Sequence, residues 1–310
     1  MREKLALFGG KKILVTGSSG MLGKDIVEIL IKNEAFDIYA FDKHYNPRIA
    51  KDNQFIVDLT NFEFLTKSLN KINPAVIIHC AAIVNIDACE KDKKSADALH
   101  REATRVLSSY NSRNTKFMYI STDSIFDGKK GNYAEEDVPN PLNYYAKSKL
   151  EGEKVALSQN PNALVIRTNI YGFHTAKDNS LVEWAIENLK AGRSIDGYED
   201  IIFNAIYTKQ LARIIQELII LDNYKGILNV AGNECVSKYD FLIELAKTFN
   251  FPAHLINKNS SDEMKFSISR PKNTTLSINK LKYILYQTPY LAAGLRELRK
   301  DYKKLIRLPK

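Results

Sequence analysis

The sequence predicts an α/β protein: a doubly wound parallel sheet of the Rossmann type with a smaller α/β C-terminal substrate domain. Three observations carry that reading. Residues 11–23, Lys-Lys-Ile-Leu-Val-Thr-Gly-Ser-Ser-Gly-Met-Leu-Gly, run from a β-rich apolar segment into glycines at 17, 20 and 23. Short β-branched runs then alternate with helical segments over the first 170 residues. Two of these runs, Ala75-Val76-Ile77-Ile78 and Ala163-Leu164-Val165-Ile166, are apolar throughout, as strands covered on both faces must be.

Each element follows from its local pattern. Strands are expected near 11–16, 36–41, 54–57, 75–80, 116–121 and 163–168, and helices near 21–33, 60–71, 95–112 and 142–159. The first strand, the glycine turn and a helix starting around Met21 together make a pyrophosphate site. Backbone N–H groups and the positive end of the helix dipole face the anion there, and glycine lets the backbone come close. Two residues separate Gly17 from Gly20, so the spacing is not that of G-x-G-x-x-G. Right-handed crossovers place a nucleotide along the carboxyl ends of the strands. After Thr168 the rhythm breaks: a helix near 180–191, a turn-rich stretch with Gly192 and Gly197, a helix at 209–221, a strand at 226–230 and a helix at 237–249. The polar stretch Asn257 to Asp262 reads as a loop or lid. The expected division is 1–168 plus 206–230 for the dinucleotide-binding domain and 169–205 plus 231–310 for the substrate domain.

Composition narrows the class. At 310 residues, 45% hydrophobic and 26% charged, the chain is an ordinary globular protein with no apolar run of membrane-spanning length. The opening residues alternate charges around a short Leu5-Ala6-Leu7-Phe8 run, which is not a signal-peptide pattern. Cys80, Cys89 and Cys235 lack metal-ligand spacing, so reduced thiols, a cytoplasmic setting and no metal are expected. The net charge of +9 comes from dispersed lysines (Lys91, Lys93, Lys94; Lys129, Lys130; Lys147, Lys149) rather than one stripe with interleaved aromatics. A nucleic-acid partner is therefore not expected. Leu295, Leu298, Tyr302 and Leu305 share one face of a basic terminal helix, expected to dock on the protein rather than lie on a membrane.

The residues able to carry chemistry fall in three places. Asp42 closes the second strand 19 residues after Gly23, where a carboxylate bonds adenosine ribose hydroxyls and disfavours an extra phosphate. NAD(P)H is the expected cofactor, with NADH slightly favoured by Asp42; Lys43, His44 and Arg48 keep NADPH open. Asp58 faces the adenine or caps the next helix. Tyr145 and Lys149, four apart at the head of a helix, share one face. A phenol titrates near ~10, and a neighbouring ammonium lowers that value, making tyrosine a usable acid or base. Ser121-Thr122-Asp123-Ser124 ends a strand where an open sheet presents catalytic groups, and Thr122 is placed to hold a substrate oxygen.

Together these motifs resemble the extended short-chain dehydrogenase/reductases, and within them the dTDP-4-dehydrorhamnose reductase group. The Gly17/Gly20/Gly23 turn, His79-Cys80-Ala81-Ala82, Ser121-Thr122-Asp123 and Tyr145/Lys149 stand in that family's order and approximate spacing. Arg167-Thr168-Asn169-Ile170-Tyr171-Gly172, Val236-Ser237-Lys238-Tyr239-Asp240-Phe241 and Arg270-Pro271-Lys272-Asn273-Thr274 extend the likeness over almost the whole chain. The resemblance implies NAD(P)H-dependent reduction of the 4-keto group of a nucleoside-diphosphate deoxysugar, in polysaccharide or cell-surface glycan biosynthesis. It implies Thr122, Tyr145 and Lys149 as catalytic residues, with Lys149 binding the nicotinamide ribose. It further implies a cofactor site of Gly17, Ser19, Gly20, Met21, Leu22, Asp42, Asp58, Leu59, Ala81 and Ala82 with Tyr145 and Lys149. Val84, Asn85, Thr122, Ile170 and Arg270 are implied near the sugar nucleotide. A homodimer through the helices near 95–112 and 142–159 is a family expectation.

Departures from the group bear on the sugar. Its reductases usually carry tyrosine after Ser-Thr-Asp, where this chain has Ser124, and often a tryptophan within Asn169 to Tyr171; the only tryptophan here is Trp184. Another 4-keto-6-deoxy sugar nucleotide fits equally well. A dehydratase would need glutamate where Ser124 stands. An epimerase-reductase would need a cysteine near 123–126 to accompany His174, and none is there. A non-catalytic, NAD(P)-binding regulatory subunit is the reading from a different class.

Overall fold

In this computed structural model the described residues are 10–175, 180–263, 268–285 and 288–306; the Leu5–Phe8 run and the last four residues of the tail lie outside them. The sheet strands are β1 (Lys11–Thr16), β2 (Phe36–Asp42), β3 (Gln54–Ile56), β4 (Val76–His79), β5 (Lys116–Ile120), β6 (Leu164–Arg167) and β7 (Gly226–Asn229). They lie in the order β7-β6-β5-β4-β1-β2-β3, every pair parallel. The helices are α1 (Gly23–Leu30), α2 (Phe62–Ile72), α3 (Ile86–Lys91), α4 (Lys93–Asp97), α5 (Thr104–Ser109), α6 (Tyr144–Gln159), α7 (Leu181–Lys190), α8 (Thr208–Leu221), α9 (Lys238–Phe249), α10 (Asn279–Ile284) and α11 (Leu291–Leu305).

Alternation along β1 explains why both faces of the sheet are covered. Ile13 and Val15 join Ile26, Val27, Ile215 and Leu218 on one side, whereas Leu14 joins Leu65, Leu69, Leu107 and Phe117 on the other. The strand order reverses between β1 and β4, so the crevice for a ligand opens at their carboxyl ends, at Gly17 and Cys80. A separate apolar cluster joins Tyr171, Phe173, Val182, Ile186, Phe203, Phe241, Leu245, Leu295 and Leu298. Trp184 packs, partly buried, against this second cluster.

Four expectations need correction. The first helix starts at Gly23, because residues 21–22 belong to the turn. The helix expected over 95–112 is α4 and α5 joined by a π turn, Ala98–Ala103. Close packing accompanies that turn: a Cβ on Gly152 of α6 would lie 2.5 Å from the His100 carbonyl oxygen and 2.2 Å from Tyr119 Oη. Within the polar stretch, Ile256–Asn259 is a strand paired in parallel with Ile195–Tyr198, where the Asn257 amide meets Asp196 at 3.1 Å. The fourth, a protonation state, concerns the candidate site below. The tail docks as expected, with Leu295 and Leu298 fully buried and Leu305 at the rim. Among the described residues no helix is long and apolar enough to cross a membrane, and no group of metal-ligating side chains forms.

Candidate active site

The glycine turn is shaped by close approach. Gly17 has φ +66°, and a Cβ on it would lie 2.8 Å from the Ala81 nitrogen. A Cβ on Gly23 would lie 2.0 Å from the Gly17 carbonyl oxygen, so α1 sits directly on the turn. Gly20 is exposed, and among the described residues its Cβ would meet only the Gly17 oxygen, at 3.2 Å. Leu22, at the N-cap of α1, offers no side-chain acceptor to the helix amides. An open cradle over an uncapped helix start fits the pyrophosphate of NAD(P).

Asp42 reaches this turn from β2. Its carboxylate accepts from the Ser19 amide at 2.7 Å, the Ser19 hydroxyl at 2.9 Å and the His44 amide at 2.9 Å. Met21 borders Gly172, and Leu22 is buried in the sheet core. Asp58 stands further out: it accepts from Thr60 at 2.9 and 2.8 Å and pairs with Lys43 at 2.9 Å. The Lys43 contact, then the Thr60 amide, holds its carboxyl down at about 2. Asn61, not Asp58, caps α2. Leu59 gives its side chain to the core. Ala81 and Ala82 follow β4, Val84 is exposed, and Asn85 caps α3 by accepting from the Ala88 amide at 2.8 Å.

Asn143 accepts from the Ala146 amide at 3.0 Å, starting α6 so that Tyr145 stands in its first turn. Thr122 follows β5, and its hydroxyl lies near enough to the Tyr145 phenol to oppose the rise that burial imposes on it. Lys149, one turn on, is buried beneath them. Its ammonium donates to the Ile120 carbonyl at 2.7 Å and lies 4.1 Å from the centre of the Tyr119 ring.

Here the fourth correction enters. The spacing of Tyr145 and Lys149 predicted a depressed phenol, yet burial pushes Tyr145 up to about 12, with Asp123 and Cys89 adding to the rise and Thr122 opposing it. Lys149 shares the helix face but spends its charge on the sheet carbonyl. Burial brings it down to about 7 despite Glu153 and Cys80.

Asp123 organises the opposite side. It accepts from Asn169 at 2.7 Å, Thr122 at 3.2 Å, Ser124 at 3.3 Å and, at short range, Thr274. Burial raises its carboxyl, the four hydrogen bonds notwithstanding. The segment carrying Arg270 is fixed at one end by Thr274 and at the other by the Asn143 amide, which donates to the Ser269 carbonyl at 3.3 Å. Sequence reasoning missed Lys238, at the head of α9, whose ammonium is pushed down by burial and by Arg270 and pulled up by Asp123. Ile170 packs against the sheet core. His174 is held by Glu183, whose two oxygens meet the His174 amide at 2.8 Å and Nδ1 at 2.7 Å.

A family model described as the RmlD substrate binding domain matches residues 11–303. The chain belongs to that family. RmlD-like relatives include a "dTDP-4-dehydrorhamnose reductase" of Aggregatibacter actinomycetemcomitans, 28% identical over 284 residues, 87% of this chain and 92% of the relative. The "Methionine adenosyltransferase 2 subunit beta" of Danio rerio is equally near, 30% identical over 285 residues, 88% of this chain and 85% of that one. Among solved structures, dTDP-4-dehydrorhamnose reductase from Bacillus anthracis in complex with NADP superposes with a TM-score of 0.84 at 28% identity, over 94% of this chain and 99% of that one. This chain is thus similar both to a protein named as a reductase of a sugar nucleotide and to one named as a subunit of another enzyme.

Proposed function

We propose that the protein reduces the 4-keto group of a nucleoside-diphosphate deoxysugar with NAD(P)H, in the cytoplasm, as a step toward polysaccharide or cell-surface glycan. The observation that carries this is that α6 sets Tyr145 in its first turn and Lys149 one turn on against the end of β5, where the Lys149 ammonium meets the Ile120 carbonyl at 2.7 Å, two residues before Thr122. A bound NAD(P)H supplies the hydride. Tyr145, protonated at neutral pH, gives its Oη proton to the keto oxygen as that oxygen gains charge, and Thr122 donates a hydrogen bond to the same atom. Lys149 would turn a further N–H of its ammonium to the nicotinamide ribose. Gly17, Gly20 and the start of α1 would receive the pyrophosphate, and Asp42 the adenosine ribose. Arg270 and Lys238, close enough to affect one another, would supply positive charge to a diphosphate.

NADH is favoured by a small margin. The Asp42 carboxylate repels an extra phosphate, and two of the cations that would attract one are engaged, Lys43 with Asp58 and Arg48 with Glu28 at 3.8 Å. The test follows NADH and NADPH absorbance against dTDP-, GDP-, UDP- and CDP-linked 4-keto sugars. Tyr145→Phe is expected to cut turnover by about 10²–10⁴-fold while nucleotide binding persists. The relative named as a subunit favours a second reading, cofactor binding without turnover. Cofactor binding with no oxidation by any sugar in the panel would select it.

A further inference from the structure

The loop after β4 and the helix that carries Tyr145 are joined by one imidazole. The Ile83 amide donates to His100 Nε2 at 2.9 Å, and an N–H has no other role, so Nε2 must hold its lone pair. The proton then sits on Nδ1, which donates to Ser148 Oγ at 2.8 Å, and that hydroxyl donates to the Tyr145 carbonyl at 2.9 Å. The Cys89 thiol donates to the Ile83 carbonyl at 3.4 Å, so the same residue is gripped on both polar sides. The imidazole also stands edge-on to the Tyr145 ring, centroids 6.1 Å apart and planes at 80°. Its place is the π turn, and π turns inside helices gather at functional sites. Burial, then Lys149 and His79, push His100 down to about 2, so the imidazole stays neutral across the physiological range.

We infer that His100 is a positioning residue, holding the 81–85 loop and the Tyr145 phenol in one fixed relation through Ile83 and Ser148. This rests on the reading of Tyr145 as the proton donor. The loop carries Ala81, Ala82, Val84 and Asn85, so the cofactor side and the proton donor move as one unit. An imidazolium could not serve, because a proton on Nε2 would meet the Ile83 N–H head-on.

The test compares His100→Phe, which keeps a ring and loses both hydrogen bonds, with Ser148→Ala, which cuts only the branch to Tyr145. His100→Gln supplies one acceptor and one donor in place of the imidazole. Three readouts need no sugar substrate: amide exchange at Ile83, NADH affinity, and titration of Tyr145 followed on its labelled Cζ. His100→Phe is expected to speed Ile83 exchange about tenfold or more, weaken NADH severalfold and shift the Tyr145 titration. Ser148→Ala should shift that titration alone, and His100→Gln should restore part of each. With a sugar nucleotide in hand, both first variants should lose about tenfold in kcat with little change in the sugar KM, and the double variant no more than His100→Phe. A His100→Phe protein that is merely less stable, with Ile83 exchange, NADH affinity and Tyr145 titration as in the parent, overturns the inference. If the parent turns over no sugar, the reductase reading fails while these three readouts still decide the role of His100.

Discussion

Two glycines separate backbone need from packing need. A Cβ on Gly23 collides with the Gly17 carbonyl, whereas Gly192, at φ +69°, has no described residue within 4 Å of its would-be Cβ. Gly192→Ala should therefore cost only its backbone strain, about 1 kcal/mol. Gly23→Ala must push α1 off the turn, costing ~1–3 kcal/mol in denaturant unfolding and weakening NADH about tenfold or more. Equal losses at both positions would mean that the turn tolerates the displacement. The glycines, Thr122, Tyr145 and Lys149 were legible because each motif lies within a few residues. Asp123 was not, since two of its partners, Asn169 and Thr274, are distant in sequence. Nor was the protonation of Tyr145: spacing put an ammonium nearby but could not tell that it turns to the Ile120 carbonyl.

The elements themselves rest on a buried ion pair between α6 and β6. Arg167 forks onto Glu153, with Nη2 to Oε2 at 2.9 Å and Nε to Oε1 at 3.1 Å, and gives Nη1 to the Glu135 carbonyl at 3.1 Å. Ser121 donates to the same Glu153 at 2.5 Å, so the pair also fixes the residue before Thr122. Glu153→Ala leaves a guanidinium buried without its counter-charge and should cost ~3–5 kcal/mol in equilibrium unfolding. Replacing Glu153 and Arg167 together with glutamine and methionine should cost clearly less than Glu153→Ala; an equal loss would assign the effect to packing. At this scale the long, periodic elements were readable. The paired dipeptides Ile170–Tyr171 with Ile206–Tyr207 and Ile202–Phe203 with Val236–Ser237 are too short for any period to show. The strand Ile256–Asn259 escaped because three of its four residues are polar, as suits an edge beside Asp196. The π turn has neither proline nor glycine to announce it, and the residue packed closest against it, Gly152, lies some fifty positions on.

For the molecule as a whole, the buried histidines set the acid limit. Burial is the first cause at both: it holds His79 at about 3 and His100 at about 2, and Lys149 pushes in the same direction. In the unfolded chain both titrate near ~6.5. Below that pH the unfolded state gains protons that the folded state refuses, so stability falls as pH drops. Each histidine contributes about 1.4 kcal/mol per pH unit well below 6.5. The carboxylates held low, Asp58 and Glu183 at about 2, keep their contribution until pH falls through roughly 4, so they do not act between pH 6 and 5. Asp123 and Glu217, both raised by burial, act in the opposite sense, which makes a difference between variants cleaner than an absolute slope. Urea unfolding at pH 6 and 5 should thus show a loss in the parent that shrinks in His100→Phe by about 1 kcal/mol. An unchanged loss in that variant would mean that His100 already takes up a proton in the folded state, which its acceptor bond from Ile83 forbids.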